Sequence, residues 1–424
     1  MRKNILVGQS GGPTAVINAS LYGVITEGKA HPEHIDTVYG MVNGIEGFLS
    51  GRCMDLSQEL TAEDLLLLKQ TPAAYLGSCR YKLPENLDAP VYGLLFEKFT
   101  SLGIGACLYI GGNDSMDTVD KLSRCARLRH ENVSFIGVPK TIDNDLPVTD
   151  HTPGYGSAAK YVASTVRQIC LDASVYQQPA VTIVELMGRH AGWVTAASVL
   201  ARKHPGDNPL LIYMPEVPFD MEQFLENVKN ALDQQPNVVV CVSEGIRDKH
   251  GRFICEYANE ASLDTFGHKM LTGSAKLLES YVRNRFHVKV RSVELNVNQR
   301  CSSLLASAAD VHEAVLSGRT AVQQMLGGAT GCMVTCSRRH TPSYELEYGL
   351  TDVCNVCNKE KGFPVDWITQ KGYRSPIPGV RTASHCRGTG ADHGAGPSQI
   401  SQPFQENTCL MNLMLGYCGH LGAA

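Results

Sequence analysis

The chain has 424 residues, a mass of 46.0 kDa, 43% hydrophobic and 19% charged side chains, enough length and apolar content for about two globular domains with buried cores. Its 38 lysines and arginines against 42 aspartates and glutamates give a net charge of −4. The totals therefore supply no broad cationic surface for nucleic acid or an acidic membrane, and an anionic ligand must be held by a local cluster. No apolar run approaches the roughly 18 residues that span a bilayer, and the opening Met1-Arg2-Lys3-Asn4-Ile5-Leu6-Val7 lacks a secretory apolar region, which points to the cytoplasm. The 15 cysteines are odd in number and scattered through apolar segments, as reduced thiols are, rather than set out as a disulfide framework. Cys354 and Cys357 form a C-x-x-C pair, but no second pair at matching spacing and no βαβ redox context accompanies it, so the two read as incidental thiols.

In chain order, the first 170 residues alternate short β-branched or apolar runs with stretches of helical period, the pattern of βα units on a parallel sheet. Ile5 to Val7, Ala106 to Ile110 and Val133 to Val138 are expected strands, followed by helices at Pro13 to Gly28, Ser115 to Arg129 and Tyr155 to Leu171. The alternation resumes with strands at Val181 to Leu186, Pro209 to Met214 and Val238 to Val242 and helices around Gly192 to Arg202 and Met221 to Gln234. A helix over Lys269 to Asn284, a strand at Lys289 to Glu294 and helices near Leu304 to Leu316 and Thr320 to Leu326 follow. From about Gly372 the text is dense in Gly, Pro, Ser, Thr and His with scarcely any apolar periodicity, apart from the short apolar stretch Cys409 to Leu415. This predicts a poorly ordered tail.

Ligands of such sheets bind at the carboxyl ends of the strands, so three strand-to-helix turns are where chemistry should gather. The first, Gly8-Gln9-Ser10-Gly11-Gly12-Pro13-Thr14, brings glycines and a helix N-terminus together, which suits a phosphate, although it matches neither common nucleotide fingerprint. The second is Gly111-Gly112-Asn113-Asp114-Ser115, in which Asp114 could also serve as a helix cap. The third, Pro139-Lys140-Thr141-Ile142-Asp143-Asn144-Asp145, sets two carboxylates beside a lysine, groups that cation coordination and activation of a hydroxyl both need next to phosphates.

Together with Leu76-Gly77-Ser78-Cys79-Arg80, Glu185-Leu186-Met187-Gly188-Arg189-His190-Ala191-Gly192-Trp193, Ser243-Glu244-Gly245, Phe266-Gly267-His268 and Asn298-Gln299-Arg300, these segments resemble the phosphofructokinase family over roughly residues 3 to 370. The resemblance implies an α/β fold of two domains with mainly parallel sheets flanked by helices and an active site in the cleft between them. Residues 1–150 with about 297–345 would form the donor-binding domain and 151–296 the fructose 6-phosphate domain, followed by a family segment at 346–372 and an atypical tail at 373–424. Asp143 resembles the base that accepts the proton of the sugar's 1-hydroxyl, and Asp145 its partner in orienting the loop. Thr141, Met187, Gly188, Arg189, Glu244, Arg291 and Arg300 match the sugar phosphate site, with Arg189 bridging to the transferred group and Arg291 and Arg300 clamping the 6-phosphate. Gly11, Gly12, Arg80, Gly112, Asn113, Asp114 and Lys140 match the donor side, and Mg²⁺ is implied, with Asn113, Asp114, Asp143 and Asp145 as its candidate ligands.

ATP-dependent relatives carry glycine where this chain has Asp114 and Lys140. The carboxylate would meet a nucleotide's α-phosphate, and the ammonium would hold a smaller donor. The pair thus resembles the pyrophosphate-dependent branch, whose reaction, reversible and part of glycolysis and gluconeogenesis, gives fructose 1,6-bisphosphate and phosphate. A homodimer or homotetramer is implied, with no nucleic-acid or membrane partner. Three positions depart from the family pattern: Asn113 in place of an Asp, Val297 in place of a sugar-contacting His, and Ala180 in place of an Arg that reaches across a subunit interface. An ATP-dependent kinase is the near alternative, against which Asp114 and Lys140 argue; Ala180, Val297 and the tail suggest a catalytically impaired regulatory subunit, against which the intact Asp143, Asp145, Arg189 and Glu244 argue. A nicotinamide-dependent oxidoreductase lacks its fingerprint here. The tail after about residue 372 departs most, as a shifted reading frame or a genuine extension would.

Overall fold

A computed structural model describes residues 3–204, 206–257, 273–339, 341 and 343–368. The expected tail, the Phe266-Gly267-His268 string and the first residues of the expected helix from Lys269 lie outside the described residues.

Two sheets organise the chain. The larger has seven strands, β1 (Lys3–Gln9), β2 (Ile35–Met41), β3 (Cys53–Asp55), β4 (Ile104–Gly111), β5 (Ser134–Pro139), β10 (Cys332–Arg338) and β11 (Leu346–Asp352), in the order β11-β10-β5-β4-β1-β2-β3. Its centre is parallel, while β3 and β11 run antiparallel at the two edges. The smaller is wholly parallel, with β6 (Ala180–Leu186), β7 (Leu211–Tyr213), β8 (Asn237–Ser243) and β9 (Lys289–Glu294) in the order β7-β8-β6-β9. The fold is thus α/β with mainly parallel sheets, as the alternating text predicts. The 346–372 stretch begins with β11, which pairs along the whole length of β10.

Both faces of each sheet are covered, and this explains why the strands read as unbroken apolar runs. Ile5, Val7, Ala106, Leu108, Ile110 and Val138 bury into one core, while Leu6, Cys107, Tyr109 and Phe135 bury into the core on the opposite face. In the smaller sheet Val181 and Ile183 point to one core and Val184 and Leu186 to the other, following the two-residue period of a strand.

Five helices matter for the site: α1 (Ile17–Ala30), α2 (Asn113–Arg129), α3 (Tyr155–Ala173), α4 (Ser274–Phe286) and α5 (Ala308–Leu326). α1 starts at Ile17 rather than near Pro13 because residues 11–16 form the turn that follows β1. The two helices expected between Leu304 and Leu326 are one, α5, which runs through Gly318 without a break. A side chain there has no room: a Cβ on Gly318 would stand 2.2 Å from Ser20 O of α1, and one on Gly23 of α1 would stand 2.2 Å from Val315 O of α5. Gly318, which falls between the two expected helices, and Gly23 of α1 let two helix backbones touch. The stretch expected as a helix from Gly192 to Arg202 is a short α-turn, Trp193–Ala196, continued as a 3₁₀ helix, Ala197–Ala201. Finally, Asp310 of α5, fully buried, accepts from Gly154 N, Ser157 N and Ser157 Oγ at 2.9, 2.8 and 2.5 Å, which fixes the start of α3 against the larger sheet.

Candidate active site

The three chemistry-bearing turns end the neighbouring strands β1, β4 and β5, and so they converge at one sheet edge. Gly11 has φ of +76°, a backbone that side chains avoid, and a Cβ on it would meet Lys140 Nζ at 3.4 Å. Lys140 Nζ donates to Gly12 O at 2.7 Å, and Ser78 Oγ donates to Gly11 O at 2.7 Å. A Cβ on Gly12 would come within 2.9 Å of the Arg300 guanidinium. These glycines, with Glu46, Ser78, Arg80 and Arg300, line an open cleft of about 590 Å³, rich in donors and cations and sized for a small polyanion.

Burial and charge act together on the ionisable groups. Lys140 is only 3% exposed, and the loss of solvent pushes its ammonium down to about 8, opposed by the charges of Asp145 and Asp143. Burial raises Asp143 to about 7, with the neighbouring Asp145 charge adding to the shift and Arg189, Lys140 and Arg300 opposing it. Asp145 is also raised, chiefly by burial. Asp145 Oδ1 and Arg189 Nε are both buried and have no protein hydrogen-bond partner among the described residues, which leaves an acceptor and a donor open to a ligand, ion or water. Glu244 rises to about 8 through burial and then the Asp143 charge, against the opposing Gly188 N–H and Arg189. The two carboxylates thus feel one another across the gap between the sheets.

On the smaller sheet, Gly188 adopts φ of +132° and donates its N–H to Glu244 Oε1 at 3.3 Å, while Ser243 Oγ donates to Gly188 O at 2.5 Å. Met187 N donates to Gln299 Oε1 at 3.1 Å, tying the end of β6 to the short helix Asn298–Cys301 that carries Arg300. Arg300 therefore stands at the junction of the two lobes, against Gly12, rather than beside Arg291. Arg291 lies within β9 opposite Thr182, five positions before Met187 on the adjacent strand, and is about half exposed beside Asp172. At roughly 3.3 Å per residue, some 16 Å of strand separates it from the end of β6, so the structure does not bring the two expected clamp arginines together. Val297 is half exposed.

Thr141 Oγ1 accepts from Asp143 N at 3.1 Å and so shapes the turn. Gly112 caps α2, and Asp114 is exposed in its first turn. Asn113 is engaged by backbone groups of residues 358 and 359, since its amide donates to Lys359 O and its oxygen accepts from Asn358 N at 2.6 Å. Among the described residues no group of three or more His, Cys, Asp or Glu is gathered as a metal cage, and Cys354 and Cys357 do not form part of one. Sequence reasoning missed Ser78 as a prop for Gly11, and Glu46, and it gave no role to residues 358–363, although Asp352 to Lys361 resembles the family.

A family model described as Phosphofructokinase matches residues 4–325. This chain belongs to the phosphofructokinase family. It is 38% identical over 374 residues, 88% of each chain, to a protein of Methylococcus capsulatus named pyrophosphate–fructose 6-phosphate 1-phosphotransferase. A Rhodospirillum rubrum protein of the same name is 39% identical, covering 87% of this chain and 90% of its own. Among solved structures, the pyrophosphate-dependent phosphofructokinase of Marinobacter aquaeolei superposes with a TM-score of 0.78 at 37% identity, over 88% of both chains. Among the described residues no helix is long and apolar enough to cross a membrane.

Proposed function

We propose that the protein transfers a phosphoryl group from pyrophosphate to the 1-hydroxyl of fructose 6-phosphate, giving fructose 1,6-bisphosphate and phosphate. The observation that carries this reading is the buried Lys140 ammonium, tied to Gly12 O at 2.7 Å, behind the glycine turn that lines the donor cleft together with Arg80 and Arg300. Such a cluster neutralises a compact polyanion without any adenine pocket. The seven-stranded lobe takes the donor and the four-stranded lobe takes the sugar phosphate.

Asp143 receives the proton of the sugar hydroxyl as its oxygen bonds to phosphorus, and the bridging oxygen of pyrophosphate leaves with the second phosphate. Lys140 and Arg189 face the charge that grows on the transferred group and on the leaving phosphate, and Glu244 fixes sugar hydroxyls. Mg²⁺ fits the residues present, because the unpartnered Asp145 Oδ1 beside Asp143 offers the one or two carboxylates this ion takes alongside phosphate oxygens. When bound, the ion supplies charge neutralisation to the phosphates. The active form is a homodimer or homotetramer in the cytoplasm, and Arg291, half exposed on the edge strand β9, serves a second copy rather than its own cleft.

The test is an assay of purified protein with fructose 6-phosphate and Mg²⁺, comparing pyrophosphate with ATP. Turnover with pyrophosphate in clear excess over ATP is expected. Preference for ATP, or no bisphosphate from either donor, overturns the reading. Sedimentation measures the assembly in the same sample.

A further inference from the structure

We infer that Lys361 is a positioning residue for the turn that carries Asp143 and Asp145, held beneath that turn by a strap of residues 358–363 that fastens to both lobes. The inference rests on the phosphotransferase reading above, but Lys361 and its strap lie past residue 325, where the family match ends.

The turn from Asn144 to Asp150 adopts a costly backbone. Asn144 has φ of +53° and Val148 φ of +65°. A β-branched residue in that region is strained, and such conformations persist only where the surroundings over-determine them. One side of the turn is fastened to the end of β10: Asp150 N donates to Cys336 O at 2.9 Å, Cys336 N to Thr149 Oγ1 at 3.0 Å, and Arg338 N to Asp150 Oδ2 at 2.6 Å.

Lys361 fastens the other side. An ammonium has three donors, and all three go to this one turn: Thr149 O at 2.8 Å, Asp150 O at 2.9 Å and Asn144 Oδ1 at 3.4 Å. Its own N–H donates to Asp145 O at 2.7 Å. One residue therefore grips the turn at four points, two of them at Asn144 and Asp145. The hydrogen bonds of Lys361 Nζ go to two carbonyl oxygens and one amide oxygen, while the charges of Asp150 and Asp145 favour its ammonium, so both oriented dipoles and the carboxylates of the turn hold it in place.

The strap is itself anchored at both ends. Towards the larger sheet, Asn358 Nδ2 donates to Asp117 Oδ1 at 3.0 Å, and Asp117 Oδ2 is paired with the buried Lys121 at 2.6 Å. Towards the smaller sheet, Trp193 Nε1 donates to Lys361 O at 3.2 Å and its ring lies 5.3 Å below the ammonium. Phe363 packs edge-on against Trp193 at 4.9 Å, and Phe363 N shares Glu216 Oε1 with Gly192 N, each at 2.7 Å. Trp193 and Gly192 close the Met-Gly-Arg-His-Ala-Gly-Trp string, whose end thereby gains a purpose: it seats the strap.

The experiment compares Lys361→Met and Lys361→Ala with the wild-type protein, reading kcat, both KM values and amide hydrogen exchange. Wild-type turnover with pyrophosphate tests the underlying reading by itself; the ratio of variant to wild type tests the inference, with whichever donor the wild-type protein uses. For Lys361→Met we expect kcat to fall about tenfold or more with each KM within about threefold, and exchange to rise at residues 144–150 while the core strands stay protected. Ethylammonium should restore part of the kcat of Lys361→Ala, whereas ethanol should not. Wild-type kcat in Lys361→Met, exchange that rises uniformly across the molecule, or no restoration by the amine would overturn the inference. If neither variant folds, Asn358→Ala and Trp193→Phe carry the test: each loosens one anchor and should lower kcat a few-fold at unchanged KM, and unchanged kcat in both overturns it.

Discussion

Lys140 Nζ and Gly12 O are joined by a 2.7 Å hydrogen bond that links the end of β5 to the turn after β1, 128 residues away in the chain. The bond answers a question the sequence raises, namely why a lysine follows Pro139 in a buried strand end. Its ammonium is only 3% exposed, and a cation so placed costs stability unless an anion arrives to meet it. In the proposed reaction a polyanionic donor would offset that cost.

Lys140→Met should therefore separate stability from function. The folded protein holds this ammonium at about 8, below the ordinary lysine value. The unfolded chain thus binds more protons between pH 8 and about 10.5, and wild-type stability rises with pH across that window. The methionine variant lacks this rise, and at pH 7 it should melt no lower than the wild-type protein. Its turnover with pyrophosphate should fall by roughly 10²-fold or more, since charge stabilisation of the leaving phosphate is lost. Calorimetry at pH 7 and 9.5 with steady-state kinetics checks both halves.

Asp143→Asn makes the opposite use of pH. Burial and Asp145 raise the Asp143 carboxyl to about 7, so its favourable contribution is complete below about pH 4 and disappears as pH climbs through 7. The asparagine variant avoids this loss and should melt a few degrees higher than wild type at pH 8, with a smaller difference at pH 5. Its turnover should drop by roughly 10²-fold or more, with modest changes in KM, because the amide cannot take the proton. In the wild-type protein kcat/KM should decline as pH falls below 7. A variant that is both active and no more stable at pH 8 would reassign the base.

What the sequence made legible was local, and what it hid was long-range. Apolar runs such as Val133 to Val138 locate strands within a residue or two, and Lys289 to Glu294 is a strand with those ends. Its glycine pattern locates the turns, because Gly11 and Gly188 need backbones that only glycine adopts readily. By contrast Gly318 reads as a helix break and is a helix crossing, since the text does not say that Ser20 waits 2.2 Å from the missing side chain. Arg291 and Arg300 sit nine residues apart and read as one clamp, yet a strand and a short helix carry them to different places. The role of Lys361 was hidden because its three acceptors lie 211 to 217 residues away.

Gly318→Ala tests the helix crossing directly. On a free helix surface alanine would stabilise by about 1 kcal/mol relative to glycine. Here its methyl would meet the Ser20 carbonyl at 2.2 Å and approach Val24 N at 3.0 Å, and backbone atoms of a packed helix have little room to yield. Overpacking of this kind costs about 1–3 kcal/mol, so the variant should be less stable in urea by that amount. A gain in stability would show that α1 and α5 separate readily.

Asp114 decides the donor if the reading of the cleft is right. It stands exposed in the first turn of α2, two residues past Gly112, and a Cβ on Gly112 would stand 3.5 Å from Lys140 O. Pyrophosphate presents two phosphates to Lys140, Arg80 and Arg300 and ends there, whereas a nucleotide must continue past them with a third phosphate. Meeting a carboxylate, that phosphate is repelled, and each 1.4 kcal/mol or so of repulsion is a tenfold preference for the shorter donor. Because Asp114 is exposed, solvent screens the repulsion, and the effect should amount to roughly one or two powers of ten rather than more. Asp114→Gly should accordingly raise kcat/KM for ATP by about 10- to 100-fold while leaving that for pyrophosphate within a few-fold. Added salt should narrow the gap between the two donors in the wild-type protein and change it little in the variant. Parallel kinetics with both donors at two ionic strengths provides the check, and an unchanged donor ratio in Asp114→Gly would move the source of discrimination elsewhere, to the cleft wall around Glu46.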